Sequence, residues 1–304
     1  MPLTDSPKPC APKPRLPGRR GFYAALEPYL FLLPSFTVFG LFLFYPFVRT
    51  IYLSTFLTDK LGSAKVFWGL RNYGDLFASP PFWASVAVTF QFVAIVAFGG
   101  LLIGLITSLL TVRKYPGVTL VSAAYAIPVA IASAAASMAF RMILHPTNGL
   151  LNILFGTQIN WTGDPKWALF SVSMLTIWLA SGINFIFISA GLRGVPDELY
   201  ESAAIDGANY WQKLWRITLP SISPTLFFQI IINIISAFQS FSQIRLLTQG
   251  GPGDATNVIV YAIYRDAFFN FRFGTAAARS IILFAVVLVI TLIQFSFEKR
   301  SVHY

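Results

Sequence analysis

Charge is what this sequence has least of. Only 11% of its 304 residues are Asp, Glu, Lys or Arg, against 56% hydrophobic and 16% aromatic residues, and the mean hydropathy is +0.66. So little polar side chain cannot coat a water-facing globule, which excludes an ordinary soluble fold and makes the membrane the solvent. Cysteine is nearly absent: Cys10 stands alone, so a disulfide framework and a cysteine metal site are excluded. No apolar run precedes it, which argues against a lipoprotein anchor. The two histidines, His145 and His303, fall near the ends of expected spans, and no paired carboxylates occur inside one. No catalytic residue and no metal ligand are therefore expected. A G-x-x-x-x-G-K-(S/T) phosphate loop is also missing, so ATP hydrolysis is not assigned to this chain.

What is present is a set of long uncharged runs. Lys, Arg, Asp and Glu are absent from Pro28 to Val48, Leu76 to Val112, Tyr115 to Phe140, Trp167 to Leu192, Ile217 to Ile244 and Ser280 to Phe297. A hydrocarbon core needs roughly 20 apolar helical residues per crossing. Each run supplies about that many if the last begins nearer Gly274, so the expectation is an all-α polytopic membrane protein with six spans. They are placed at about 29–51, 86–112, 118–142, 168–192, 222–245 and 275–297. Short connections imply one transmembrane domain over 28–298. Residues 1–27 open with Lys8, Lys13, Arg15, Arg19, Arg20 and several prolines and are read as a largely disordered basic tail; 299–304 form a short C-terminus. The first apolar run lacks a small-residue cleavage site and is read as an uncleaved anchor.

The net charge of +10 would suggest nucleic acid in a soluble protein. Here much of it flanks spans, where anionic lipid heads attract it, so membrane lipids and not nucleic acid are the expected partners. The positive-inside rule places both termini in the cytoplasm: the tail, Arg113, Lys114, Lys299 and Arg300 share one side. The whole set of basic residues divides almost evenly between the two sides, so charge alone fixes the orientation weakly.

The polar segment 194–221 between the fourth and fifth spans has its own local grammar. Pro196 suits a first helical turn, and Asp197 and Glu198 place negative charge where the helix dipole is positive. Gly207 can end that helix at positive φ. Asn209 can cap a second one, with Gln212 completing a capping box, and Pro220 limits it. Ala203 and Ala204 give the first helix a face without bulk, flanked by Glu201 and Asp206. Such a face suits insertion into a cleft of another protein, or an amphipathic helix lying on lipid.

Glu201-x-Ala203-Ala204, then Gly207, then Ile217-x-Leu219-Pro220, resembles the cytoplasmic coupling loop of binding-protein-dependent ABC importer permeases. Ser202 replaces that motif's first alanine, a small-for-small change. Phe67-Trp68-Gly69-Leu70-Arg71-Asn72-Tyr73 is similar to the family's segment after the first span. Gln249-Gly250-Gly251-Pro252, with Tyr261, Gly274, Ala276 and Ala277, is similar to its last external loop and sixth span. Within the carbohydrate-uptake branch, His145-Pro146-Thr147-Asn148-Gly149-Leu150, Asn184-Phe185 and the terminal Tyr304 are closest to the A-type permeases of glycerol-3-phosphate or glycerophosphodiester importers. A disaccharide importer of the maltose or trehalose type is the alternative.

The resemblance implies a type I importer permease in a bacterial inner membrane that forms half of a solute pathway. It implies a second homologous permease, two ATPase subunits that use ATP and Mg, and an extracytoplasmic solute-binding protein. It also implies that Glu201, Ala203, Ala204, Asp206, Gly207, Leu219 and Pro220 form the ATPase-coupling loop.

In the fifth span Gln229, Asn233, Ser236, Ser240 and Gln243 recur at helical spacing and predict one polar face. That face either lines a watery pathway or hydrogen-bonds to neighbouring helices. Asn184 is a similar, lone signal in the fourth span, read first as structural. Arg141, Arg245, Arg265, Arg272 and Arg279 fall near the external side and are read first as snorkelling to lipid phosphates. Trp161 and Trp167 are read as interfacial belts, and Gly99, Gly100 and Gly104 as sites of close helix packing. A secondary transporter is the remote alternative, but no intramembrane ionisable residue suited to proton coupling is evident.

Overall fold

The computed structural model describes residues 20–112 and 115–301, with side chains from Pro28 to Val112 and from Tyr115 to Ser296. The basic start, Arg113, Lys114 and the charges of the C-terminus, which carried the orientation argument, lie outside the residues so described. The chain divides into two units, 1–49 and 50–304. In the leading unit α1 (Arg20–Phe39) passes through a π-helical stretch, Gly40–Phe44, into α2 (Tyr45–Ser54). No side chain described between Pro28 and Arg49 is buried. Such apolar side chains need no intrachain burial when lipid surrounds them.

After α2 comes a hairpin that the apolar pattern did not indicate, β1 (Phe56–Thr58) against β2 (Ala64–Phe67), antiparallel with Phe56 opposite Phe67. Its turn is held by Asp59, whose carboxylate accepts the Ser63 and Leu61 N–H groups at 2.8 and 3.0 Å. The Ser63 bond, outweighing desolvation, and then Lys65 keep this acid below its ordinary pKa. Next, α3 (Arg71–Ala78) inserts Asn72 under the hairpin. There its amide donates to the carbonyls of Ser54 and Phe56 at 2.8 and 3.1 Å.

Two long helices form the centre: α4 (Pro80–Thr111) and α8 (Pro165–Arg193). Both begin with proline in the first turn, where its missing N–H costs no bond, and Asp164 caps α8 by accepting the Lys166 N–H. Between them lie α5 (Val118–Ala130), α6 (Ser133–Ile143) and α7 (Leu150–Phe155). The third span, expected as one helix over 118–142, is instead two helices meeting at 107°. Pro128 removes a backbone donor in the last turn of α5, and Ile131 and Ala132 are extended.

Beyond α8 come α9 (Asp197–Ile205) and α10 (Tyr210–Lys213). A second π stretch, Leu214–Thr218, and the short α11 (Leu219–Ser221) lead into α12 (Ser223–Phe238) after a 67° bend. Pro220 lies just past the widened stretch, and the second helix ends one residue later, at Ser221. Both π stretches contain the residue four before a proline, Phe42 before Pro46 and Arg216 before Pro220. That carbonyl has lost its α-helical donor, and the wider i→i+5 register accommodates the loss. The fifth span also ends earlier than 245: α12 stops at Phe238, and α13 (Ser242–Leu247) is separate. Finally α14 (Ile259–Phe268) leads to α15 (Phe273–Ser301), whose Gly274 N–H donates to Thr58 Oγ1 at 3.1 Å. Among the described residues four helices are long and apolar enough to cross a membrane, or six segments if each bent pair is one crossing.

The core joins α4, α6, α8, α12, α13 and α14 through Phe92, Ala136, Val172, Phe238, Ile244 and Tyr261. Trp161 belongs to this core, not to an interfacial belt: it is 9% exposed and its indole N–H donates to Asn152 Oδ1 at 2.8 Å. Close approach of α4 to α8 rests on Gly104, because a Cβ there would meet Asn184 Cβ and the backbone at 3.1–3.2 Å. The Gly104→Ala variant should lose about 1–3 kcal/mol by overpacking. Gly74→Ala, the same change in open space on α3, should be neutral or gain up to about 1 kcal/mol from helix propensity. Unfolding of both purified variants in one detergent tests this, and equal shifts would refute the packing assignment.

Candidate functional site

Segment 194–221 is a helix, turn and helix. Asp197 and Glu198 occupy the first turn of α9, next to the partial positive charge of its free N–H groups. Its end has Schellman geometry: the Gly207 N–H donates to Ala204 at 3.1 Å and the Ala208 N–H to Ala203 at 2.8 Å. Gly207 takes φ +75°, the left-handed conformation this cap requires. Thus Ala203 and Ala204 supply the carbonyls that the cap consumes, besides leaving the helix face slim. Two residues on, Asn209 and Gln212 form a reciprocal capping box, with bonds of 2.9 and 2.8 Å.

The loop has a fixed base and an open tip. At the base, Ile188, Leu192, Val195 and Ile222 form a buried cluster against which Tyr200, Ile217 and Leu219 pack. Tyr200 Oη lies 3.0 Å from Thr218 Oγ1, which in turn donates to the Lys213 carbonyl at 3.3 Å. Tyr200 and Thr218 were missed by the sequence reading, since their pairing across 18 residues has no local signature. At the tip Glu201, Ala204, Asp206 and Gly207 are exposed, Ala203 is half-buried, and Pro220 is exposed farther along. Ile205, also overlooked, is 88% exposed there. No atom of this chain lies within 4 Å of a Cβ placed at Gly207.

The polar residues expected on one face of the fifth span divide at the end of α12. Gln229 and Asn233, together with Asn184 of α8, are buried and hydrogen-bonded to one another. Asn184 and Asn233 exchange bonds of 3.1 Å, and Gln229 Nε2 donates to Asn184 Oδ1 at 3.0 Å. Asn233 also donates to the Ala97 carbonyl of α4 at 3.3 Å, so the amides tie α4, α8 and α12 together. Gln229 Oε1 has no hydrogen-bond partner among the described residues. Ser236 is exposed near the end of α12, Ser240 is buried in the break and donates to the Ser236 carbonyl at 3.2 Å, and half-buried Gln243 rides on α13.

Two of the arginines read as lipid anchors are paired with carboxylates, one pair exposed and one buried. Arg265 bonds Asp254 at 2.6 Å, and buried Arg279 lies 3.1 Å from Asp266 and over the Phe82 ring. The partner carboxylates lie 11 and 13 residues away and gave no local cue. Arg245 stands over the rings of Tyr264 and Phe269, whereas Arg141 and Arg272 are exposed. No cluster of three potential metal-ligating His, Cys, Asp or Glu side chains occurs among the described residues.

Comparison with known proteins agrees with this architecture. The sn-glycerol-3-phosphate transport system permease protein UgpA of Yersinia pestis bv. Antiqua (strain Antiqua) is 33% identical over 292 residues, 95% of this chain and 99% of the relative. Its counterpart in Brucella abortus biovar 1 (strain 9-941) is 34% identical over 281 residues, 91% and 96% of the two chains. Among solved structures, a chain of a bacterial ABC transporter involved in the import of the acidic polysaccharide alginate superposes with a TM-score of 0.80. The two are 25% identical, and the match covers 92% of this chain and 98% of that one. The same TM-score and identity are found for the alginate transporter in complex with an alginate pentasaccharide-bound periplasmic protein. Residues 99–303, from the glycines of α4 through the capped loop and α15, match the family described as binding-protein-dependent transport system inner membrane component, and it is to this family of multi-pass importer permeases that the chain belongs.

Proposed function

We propose that this chain is one of two permease subunits of an ATP-driven importer for glycerol-3-phosphate or a glycerophosphodiester, and that segment 194–221 is where a partner ATPase drives it. The observation that carries the coupling reading is the contrast between the open tip around Gly207 and the base locked to α8 and α12. A force on the tip reaches two core helices without first deforming the loop. Glu201, Ala203, Ala204, Asp206 and Gly207 would enter the groove of the ATPase, with Leu219 and Pro220 at the root of the second helix. ATP and Mg would be bound by two ATPase subunits. Their closure shifts the permease between access states to the extent that one state binds the closed ATPase more tightly. A second permease completes the pathway and an extracytoplasmic binding protein delivers the solute. The loop follows four crossings, so placing it beside the ATPases puts both termini in the cytoplasm.

The substrate reading rests on relatives named for sn-glycerol-3-phosphate that match along nearly the whole chain. The alginate transporter favours a second reading, a larger acidic carbohydrate; a disaccharide of the maltose or trehalose type stands behind both. Exposed Ser236 and half-buried Gln243 are better placed to meet a solute than buried Ser240 or than Asn184, Gln229 and Asn233, whose amides are engaged with one another.

Two outcomes test this reading. Gly207→Val should insert normally yet lower solute-stimulated ATP hydrolysis and uptake about tenfold, since a left-handed conformation costs a non-glycine residue roughly 1–2 kcal/mol. Gly207→Asn, which tolerates that conformation, should retain most activity; wild-type uptake by the valine variant would defeat the assignment. In the reconstituted importer, glycerol-3-phosphate presented on the cognate binding protein should stimulate ATP hydrolysis, whereas trehalose and alginate oligosaccharides should not. The reverse order would replace the substrate reading and leave the coupling one standing.

A further inference from the structure

Two cavities meet at the root of the loop. One, of about 640 Å³, lies between the ends of α4 and α8 and the two loop helices, and is lined by Arg193, Lys213, Asp197, Tyr200, Tyr210 and Thr218 among others. The other, of about 660 Å³, is apolar and runs along α4, lined by Leu102, Ile106 and Leu110 and closed by Trp211 and Trp215. They share Leu109, Tyr210 and Leu214, so a charged chamber opens into a greasy trough.

We infer that this composite cavity is a binding site for one anionic phospholipid, with its phosphate head between Arg193 and Lys213 and an acyl chain along α4. Charge is the first argument. Arg193 and Lys213 form no ion pair among the described residues, and Asp197 in the same chamber forms none either, which leaves the lining net positive. Arg193 also ends α8, where it offsets the dipole, but that role does not account for Lys213, which lies within the continuous helical segment 210–221.

Depth is the second argument. The chamber lies at the last turns of α4 and α8, where the apolar sequence gives way to charge, and the trough rises from there into the hydrocarbon level. Leu102, Ile106 and Leu110 recur every fourth residue, so they line one face for about 12 Å, and all three are 48–57% exposed. Trp211 and Trp215, 65% and 67% exposed, stand where indoles meet headgroups. A free phosphate would leave the trough empty, and a zwitterionic lipid would bring its own ammonium beside the two cations and leave the chamber net positive. Because α10 and the π stretch wall both cavities, a bound lipid would brace the root of the loop and make coupling sensitive to anionic lipid. This site does not depend on which solute is carried.

The test uses the full-length chain in nanodiscs containing phosphatidylglycerol and phosphatidylcholine, with retained lipids counted by native mass spectrometry after extraction. Wild type should keep one phosphatidylglycerol with about tenfold preference over phosphatidylcholine, as expected for two cations partly offset by one carboxylate at a membrane surface. Arg193→Gln with Lys213→Gln should abolish the preference, whereas Arg141→Gln with Arg272→Gln, equally basic and away from the chamber, should keep it. The swap Arg193→Lys with Lys213→Arg should restore retention, which separates loss of charge from misfolding. Ile106→benzoylphenylalanine should photocrosslink to an acyl chain. Unchanged preference in the glutamine pair, an equal loss in the control pair, or a crosslink only to polypeptide would overturn the proposal.

Discussion

Asn184 stands where three helices meet, and the packing of the core depends on its amide finding partners there. In hydrocarbon an unpaired amide is costly, so a polar side chain in the middle of a span must be answered by another. Here Gln229 and Asn233 answer from α12, and Asn233 reaches on to the Ala97 carbonyl of α4. The arrangement is possible only because Gly104 lets α4 come down onto Asn184. Ser108 Oγ continues the seam one turn later by donating to the Phe185 carbonyl at 3.1 Å. Lipid contributes little hydrophobic force to helix association, so close approach and amide bonds carry much of the specificity.

From that junction the loop is reached without a flexible joint. The helix that carries Asn184 runs on to Arg193 and ends in the Ile188, Leu192 and Val195 cluster; the helix that carries Gln229 and Asn233 begins beside Ile222 of the same cluster. The amide junction and the root of the loop are therefore two ends of one pair of helices. A packed pair of this kind switches between discrete arrangements more readily than it bends, which is the mechanical property a coupling element needs. The 67° bend above α12 and the π turn before it turn the loop aside while keeping it joined to the pair.

The sequence made the local devices readable and left the long-range ones hidden. Gly207, the acidic first turn of α9 and the Asn209 box follow from rules that act over a few residues. Six uncharged runs reported the solvent correctly, yet such a run carries no information about direction. The break at Ile131–Ala132 and the early end of α12 therefore escaped a reading based on length. Trp161 looked like a belt residue because the buried acceptor that holds it, Asn152, sits nine residues away on the short helix α7 and gives no local cue. The polar face of the fifth span was visible as a periodicity, but its partner Asn184 lies 45 residues from Gln229. Periodicity cannot distinguish a wet face from a bonded one.

The distribution of charge completes the physical picture. Neutral amides occupy the helix junction, whereas ionised groups cluster toward helix ends and loops. There Arg265 meets Asp254, and Arg279 meets Asp266 within the first turns of α15. The first pair is exposed; the second is buried, and a buried ion pair survives when each charge has its counter-charge, whereas a neutral amide survives with hydrogen bonds alone, so each group occupies the environment it can tolerate. A junction built from amides does not change its charge with pH. Any rearrangement of it would have to be driven through the three helices that hold it, and two of them, α8 and α12, lead to the root of the loop.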